Sequence, residues 1–185
     1  PDQGQADFLA PEGYTPVYRT NAITRHGEHG NALLSRWPVV QHRHEDMSDH
    51  RLEQRGLLHV TLQVQAREVH VIVVHLGLLP GSRIRQTQQL HDFIEREVPA
   101  DAPLLVAGDF NDWGNAVARM MATVGLHTNE GRPHPTYPSR LPLVQLDHVY
   151  ARGMHRVATH VPRGPIWGRM SDHLPLLVEF AWAAP

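Results

Sequence analysis

The apolar positions of this chain fall into separate runs with two different periods. Residues 57-LLHVTLQV-64 alternate apolar and polar side chains, the period-two signature of a strand with one buried face. The run 69-VHVIVVHLGL-78 is almost unbroken and rich in β-branched residues, which predicts a central strand buried on both faces. Shorter runs at 32-ALLS-35, 103-PLLVAGDF-110, 144-VQLDHVYA-151 and 174-LPLLVEFAW-182 predict further strands, the last one buried. After 80-PGS-82 the period changes. Ile84, Leu90, Phe93, Ile94 and Val98 recur near helical spacing, with Ser82 as the N-cap. A shorter helix is expected over 115-NAVARMMATVG-125, closed by Gly125. Residues 1–30 and 131-GRPHPTYPSRLP-142 are broken by Pro and Gly and read as loops. Strands and helices interleaved in this way predict a layered α/β fold, and no repeat or linker divides residues 1–185 into more than one domain.

Composition narrows the class. With 41% hydrophobic and 19% charged residues the chain is an ordinary globular sequence. No apolar run approaches the roughly 20 residues that span a bilayer. The first residues, PDQGQADFLAPEGY, have neither a basic start nor an apolar core, so no signal peptide is read and the expected location is cytoplasmic. The absence of cysteine excludes disulfides and thiolate zinc sites. All 17 basic residues are Arg and the formal net charge is −2, so no overall basic field exists to hold long nucleic acid. The 15 His include no H-E-x-x-H pair, which argues against a zinc hydrolase.

Chemistry-bearing residues collect where strands end. His75 follows 71-VIVV-74, Asp109 and Asn111 follow 104-LLVAG-108, and Asp147-His148 follow Leu146. A fourth group, 171-SDH-173, precedes the last apolar run. Each has a plain reading. Asp-Phe-Asn can cap a turn through local backbone bonds, His75 can be a structural histidine, and the two Asp-His pairs can sit on the surface. Gathered in one short α/β chain, the four point instead to a site on a sheet rim.

In this order and spacing, 30-GNALLSRWP-38, 74-VHLGL-78 with 85-RQTQQL-90, 107-AGDFND-112, 146-LDHVYARG-153 and 171-SDHLPLLVEF-180 resemble the endonuclease/exonuclease/phosphatase superfamily, the deoxyribonuclease-I-like phosphoesterases. Features such as 53-EQRG-56 and GRPHPTYP look like an uncharacterised bacterial branch. The resemblance implies two stacked mixed β-sheets flanked by helices, a four-layer α/β sandwich. It also implies hydrolysis of a phosphodiester or phosphomonoester by activated water, with Mg²⁺ or Mn²⁺ as cofactor. By the same resemblance His173 is the general base or the phosphate-polarising histidine, and Asp147 orients it. Asp109 handles the attacking water or the leaving-group proton, and Asn111 positions that water or a phosphate oxygen. His75 is a second phosphate-contacting group, Asp172 approaches the metal, and Asn31, Arg85 and Trp113 contact substrate. The expected partner is a phosphate ester, either nucleic acid or a lipid head group. Arg83, Arg132 and Arg140 are further candidates to grip phosphate around a cleft. A binding or regulatory module of the same fold that has lost catalysis is the alternative.

Two features cut across this resemblance. Residues 48-SDH-50 repeat the tripeptide of 171–173, with Met47 matching Met170, but lead into polar 51-RLEQRG-56, so Asp49 and His50 are expected in an exposed loop. The family's first strands, with an Asn and then a metal-binding Glu, have no counterpart before Gly13. The fold and the metal-ligand set are therefore expected to be incomplete at the N-terminus, with Glu12 and Glu28 as candidates by type alone.

Overall fold

The strongest apolar runs form the middle of one sheet. The computed structural model describes residues 4–25, 27–50, 53–114, 116–128 and 131–183. Strands β3 (Val39–Asp46), β4 (Gly56–Val64), β5 (Arg67–His75), β6 (Leu104–Asp109) and β7 (Asp147–Arg152) assemble in that order, in chain sequence and in space. All neighbours are antiparallel except β5 and β6, which run parallel. A parallel pair needs a crossover, and α2 (Pro80–Glu97) supplies it.

Alternation along the strands divides the core in two. Leu57, Ile72, Val74, Leu104, Val106 and Tyr150 face one side, where they pack on Leu90, Phe93 and Ile94 of α2 and on Val117 and Met121 of α3 (Ala116–Ala122). Leu58, Val60, Leu62, Val69 and Val71 face the other side and meet Val17, Leu33, Met154 and Trp182. Those four belong to two antiparallel ribbons, β1 (Thr15–Thr24) with β2 (Gly27–Ser35), and β8 (Met154–His160) with β9 (Leu177–Trp182). The α/β class is therefore as expected, with the second stacked layer made of these ribbons. The short helices α1 (Gln5–Leu9) and α4 (Trp167–Met170) bury no residue.

Several local expectations are corrected. The loop expected through residue 30 contains all of β1 and the start of β2. Pairing of the two strands, rather than an apolar pattern, creates this ribbon, and Val17 is its main buried anchor. Strand β4 is buried on both faces rather than one, because His59 and Thr61 turn towards α2 instead of solvent. Strand β9 is half exposed rather than buried, since it has only β8 beside it; Leu177 is 50% exposed. Helix α2 begins at Pro80 with Leu79 as its cap, and Ser82 instead donates its hydroxyl to Asp49. Ile84 lies outside the core at 54% exposure. Near the start of α2 the inner face is polar: the Arg83 guanidinium donates to the Gly77 and Leu78 carbonyls, and Gln86 accepts the Gly77 N–H at 2.7 Å. Backbone groups at the buried start of the β5–α2 turn, Leu76 and Gly77, need partners, and apolar side chains could not provide them.

Candidate active site

Register alone brings three of the four polar groups together. His75 pairs with Asp109 across β5 and β6, and Asp109 pairs with Asp147 across β6 and β7. These residues occupy one rung, and paired residues project to the same face. That face is the one bearing the ribbons, because Val71 and Val73 share it with His75. The fourth group arrives from the segment before β9, tied down where Ser139 N–H donates to the Asp172 carbonyl and Leu174 N–H to the Thr136 carbonyl.

The contacts within this group are specific. His173 Nδ1 lies 2.8 Å from Asp147 Oδ2, and because a carboxylate only accepts, Nδ1 carries the hydrogen. Thr136 Oγ1 donates to the same oxygen at 2.6 Å, and the Tyr137 ring lies 4.9 Å from that of His173. The other imidazole nitrogen, Nε2, faces Asp109 Oδ2 at 3.8 Å, while His75 Nε2 faces it at 3.6 Å. Asp109 Oδ1 has a different task and accepts the Asn111 N–H at 2.9 Å. This closes a turn in which Asn111 takes φ 48°, a conformation that Asn tolerates better than most residues. The turn of the plain reading is thus made by Oδ1, while Oδ2 is left facing the two imidazoles.

Electrostatics separates the two histidines. The hydrogen bond to Asp147 chiefly raises the pKa of His173, with the Asp147 and Asp109 charges adding to it, so the protonated form is favoured. His75 is held below the usual histidine value, first by the surrounding protein and then by the Arg55 cation. Desolvation raises Asp109, partly offset by the Asn111 N–H and the His75 charge.

The remaining candidates are placed less uniformly. Asn31 is buried and its amide donates to the Gly56 and Val73 carbonyls at 2.7 and 3.1 Å. It ties β2 to the sheet while lining, with His75, Glu28, Glu53 and Arg55, a cavity of about 510 Å³. The Asn111 amide nitrogen is engaged by the Leu76 carbonyl at 2.9 Å. Trp113 is 60% exposed beyond the turn. Arg85 does not reach this group: its guanidinium grips Asp49 through two bonds of 2.6 and 2.5 Å. The same bonds correct the expectation of an exposed loop at Asp49 and His50, which is half-buried and anchored to α2, with Met47 in the core and its counterpart Met170 exposed. Arg51 and Leu52, in the segment that follows, lie outside the described residues. Thr136, Tyr137 and Arg55 are site residues that the sequence reading did not single out. Their only signal was membership of the GRPHPTYP and EQRG stretches.

For a hard divalent cation the donor types are suitable. Asp172 is exposed and, among the described residues, its carboxylate takes only a 3.4 Å bond from Ser171, while Glu28 reaches the cavity edge from β2 and Glu12 stands in an exposed turn. Among the described residues, three acid or imidazole donors converge within 4.8 Å only at His91, Asp92 and Glu95 on the outside of α2.

A sequence model of the Endonuclease/Exonuclease/phosphatase family matches residues 1–173. The uncharacterized protein YbhP of Escherichia coli K12 is 35% identical over 187 aligned residues, covering 97% of this chain and 74% of that protein. Among solved structures, a functionally unknown conserved protein from Enterococcus faecalis V583 superposes with TM-score 0.76 at 20% identity, over 92% of this chain and 77% of the other. The mannosyl-6-phosphatase Bt3783 of Bacteroides thetaiotaomicron superposes with TM-score 0.74 at 15% identity, over 92% and 78% of the two chains. At such identities the superpositions speak for the fold. The family match, which takes in the whole rung and His173, together with the kinship to YbhP, places this chain in the endonuclease/exonuclease/phosphatase family.

Proposed function

We propose that the chain is a divalent-metal-dependent phosphoesterase whose centre is Asp109 between His75 and His173. The observation that carries this reading is the Asp109 Oδ2 atom facing both imidazoles at 3.6 and 3.8 Å, with His173 backed by Asp147 at 2.8 Å. A carboxylate with a raised pKa is a better proton acceptor than an ordinary one, so Asp109 takes the proton of the attacking water. The raised pKa of His173 supports the second of its two candidate roles. It works as an imidazolium facing the phosphoryl oxygens rather than as the base. His75, kept neutral, offers a hydrogen bond without a second positive charge. Asn111 keeps the turn rigid and leaves its side-chain oxygen for the water.

Asp172 would help to hold Mg²⁺ or Mn²⁺, and Glu28, which lines the cavity it shares with His75, is a further acid of suitable type. Bound there, the ion would neutralise charge on the phosphoryl group. Known members of the family are hydrolases of phosphate esters, and the substrate here is taken to be a phosphodiester or phosphomonoester.

The test is hydrolysis of bis(p-nitrophenyl) phosphate and of p-nitrophenyl phosphate, with Mg²⁺ or Mn²⁺ and then with EDTA. Turnover should require the metal and fall by about 10²- to 10⁴-fold in Asp109→Ala, the usual range for loss of a general base. Metal-independent turnover, or an unaffected Asp109→Ala variant, would contradict the assignment.

A further inference from the structure

We infer that Thr136 is a positioning residue for the His173–Asp147 pair: its hydroxyl fixes the Asp147 carboxylate and so keeps His173 Nε2 turned towards Asp109. The phosphoesterase reading is needed only to name the reaction that this pair serves.

Thr136 lies in the 131–142 segment and is fully buried, at 0% exposure. Each of its polar groups goes to a different part of the site. The N–H donates to the Val144 carbonyl at 3.0 Å, three residues before Asp147. The carbonyl accepts the Leu174 N–H at 2.8 Å, one residue past His173. The hydroxyl donates at 2.6 Å to Asp147 Oδ2, the same oxygen that accepts His173 Nδ1–H at 2.8 Å. On the other side of His173, the Ser139 N–H holds the Asp172 carbonyl at 2.7 Å. Thr136 therefore joins the backbone that carries the imidazole to the carboxylate that orients it.

The hydroxyl answers a mechanical need. The last torsion of an Asp side chain is broad and soft, and Asp147 is partly open to water. A bond to His173 alone would let carboxylate and imidazole swing together. A second donor on an independently fixed residue prevents this. Thr136 meets that condition, because its β-branched side chain is stiff at χ1 and its burial leaves the hydroxyl no solvent to turn to. The Tyr137 ring, 4.9 Å from the imidazole, bounds the ring's tilt from its face. The consequence reaches the centre because His173 Nε2 stands 3.8 Å from Asp109 Oδ2, a spacing that a small swing would widen.

The experiment compares Thr136→Val and Thr136→Ser with the unmodified chain in nitrophenyl-ester hydrolysis with Mg²⁺, after circular dichroism melting shows each to be folded. The backbone bonds of Thr136 persist in both variants, so only the hydroxyl is tested. Thr136→Val should lower kcat by about tenfold to 10²-fold, the scale of a small misplacement, with KM near its unmodified value. Thr136→Ser should restore most of that loss. Thr136→Ala replaces Thr136→Val if the latter does not fold. A readout independent of turnover is the His173 Nδ1–H proton resonance in the chain with isotope-labelled histidine, identified by its loss in His173→Gln. It should be a low-field, slowly exchanging signal in the unmodified chain and in Thr136→Ser, and be broadened by exchange in Thr136→Val. A folded Thr136→Val with unchanged kcat, a loss confined to KM, an equal loss in Thr136→Ser, or a resonance that the substitution leaves unchanged would overturn the inference. A resonance that depends on the hydroxyl in a chain that hydrolyses neither ester would keep the role of Thr136 and remove the phosphoesterase reading. Hydrolysis that Thr136→Val leaves intact would do the reverse.

Discussion

At the residue scale the two oxygens of Asp109 do unlike things, and the two histidines around it are pushed in opposite directions. Oδ1 closes the turn to Asn111 while Oδ2 faces the imidazoles. Replacing Asp109 therefore removes a turn contact and a proton acceptor together, and Asp109→Asn separates them by keeping an acceptor oxygen for the turn. Asp109→Asn should stay near the unmodified melting temperature and still lose turnover about 10²-fold or more. The pH profile gives an independent check. In the proposed mechanism the acid limb belongs to Asp109, which must be ionised, and should stand above the ordinary carboxylate value of 3.8. The alkaline limb belongs to His173, which must be protonated, and should stand above 6.5. Because the Asp147 bond is the largest cause of that elevation, Asp147→Asn should move the alkaline limb to lower pH and leave the acid limb near its place. An alkaline limb that stays fixed would show that Asp147 does not hold the proton on His173.

At the element scale the site depends on how closely β5 and β6 approach. Gly108 has φ 150°, and a Cβ built on it would come within 1.8 Å of the Val74 carbonyl oxygen. Even Ala there forces the two parallel strands apart, and with them His75 and Asp109. Gly108→Ala is expected to cost at least the 1–3 kcal/mol typical of an overpacked core, with turnover reduced as well, measured by urea unfolding and nitrophenyl-ester hydrolysis. Phe110 is the other support. It is fully buried, edge-on to His148 and Tyr150, and sits between the two polar residues of the turn. Phe110→Ala should cost about 3–5 kcal/mol on the same unfolding assay, and Phe110→Leu distinctly less.

At the scale of the whole molecule, acid should weaken the fold through a pair of histidines remote from the chemistry. His59 on β4 and His70 on β5 share a 2.9 Å hydrogen bond beneath Phe93 of α2. Burial, then the neighbouring His70 and Arg43, lowers His59 from 6.5 to about 4, with Glu97 opposing, and burial lowers His70 also. The folded state holds the neutral form, so the unfolded chain binds the extra proton, and stability falls as pH drops below 6.5 until the folded group titrates near 4. At about 1.36 kcal/mol per pH unit that interval corresponds to roughly 3 kcal/mol. Thermal melts between pH 7 and 4 should show the decline, and a His59→Phe/His70→Leu variant should lose most of it. An equally steep decline in that variant would place its origin elsewhere.

What the amino-acid order determined by itself is the part whose signal is burial or local chemistry. The central strands were legible because both faces meet protein and so demand apolar residues. The polar groups that the fold gathers were legible because His75, Asp109, Asn111 and Asp147 interrupt or follow those runs, and His173 precedes one, with residues a core would not otherwise admit. Strands β1, β3 and β8 were not legible. Each has an open edge or one solvent face, and only pairing with a partner makes it a strand. The inner polar face of α2 was hidden for a related reason, since Arg83 and Gln86 are buried to satisfy a turn that exists only in the folded chain. The tertiary structure alone decided that His75, Asp109 and Asp147 share one rung, that Thr136 reaches Asp147 and Tyr137 reaches His173, and that Arg85 is taken by Asp49. Sequence separation carries no record of cross-strand register or of which oppositely charged side chains meet. Those are settled when the sheet pairs and the two cores close.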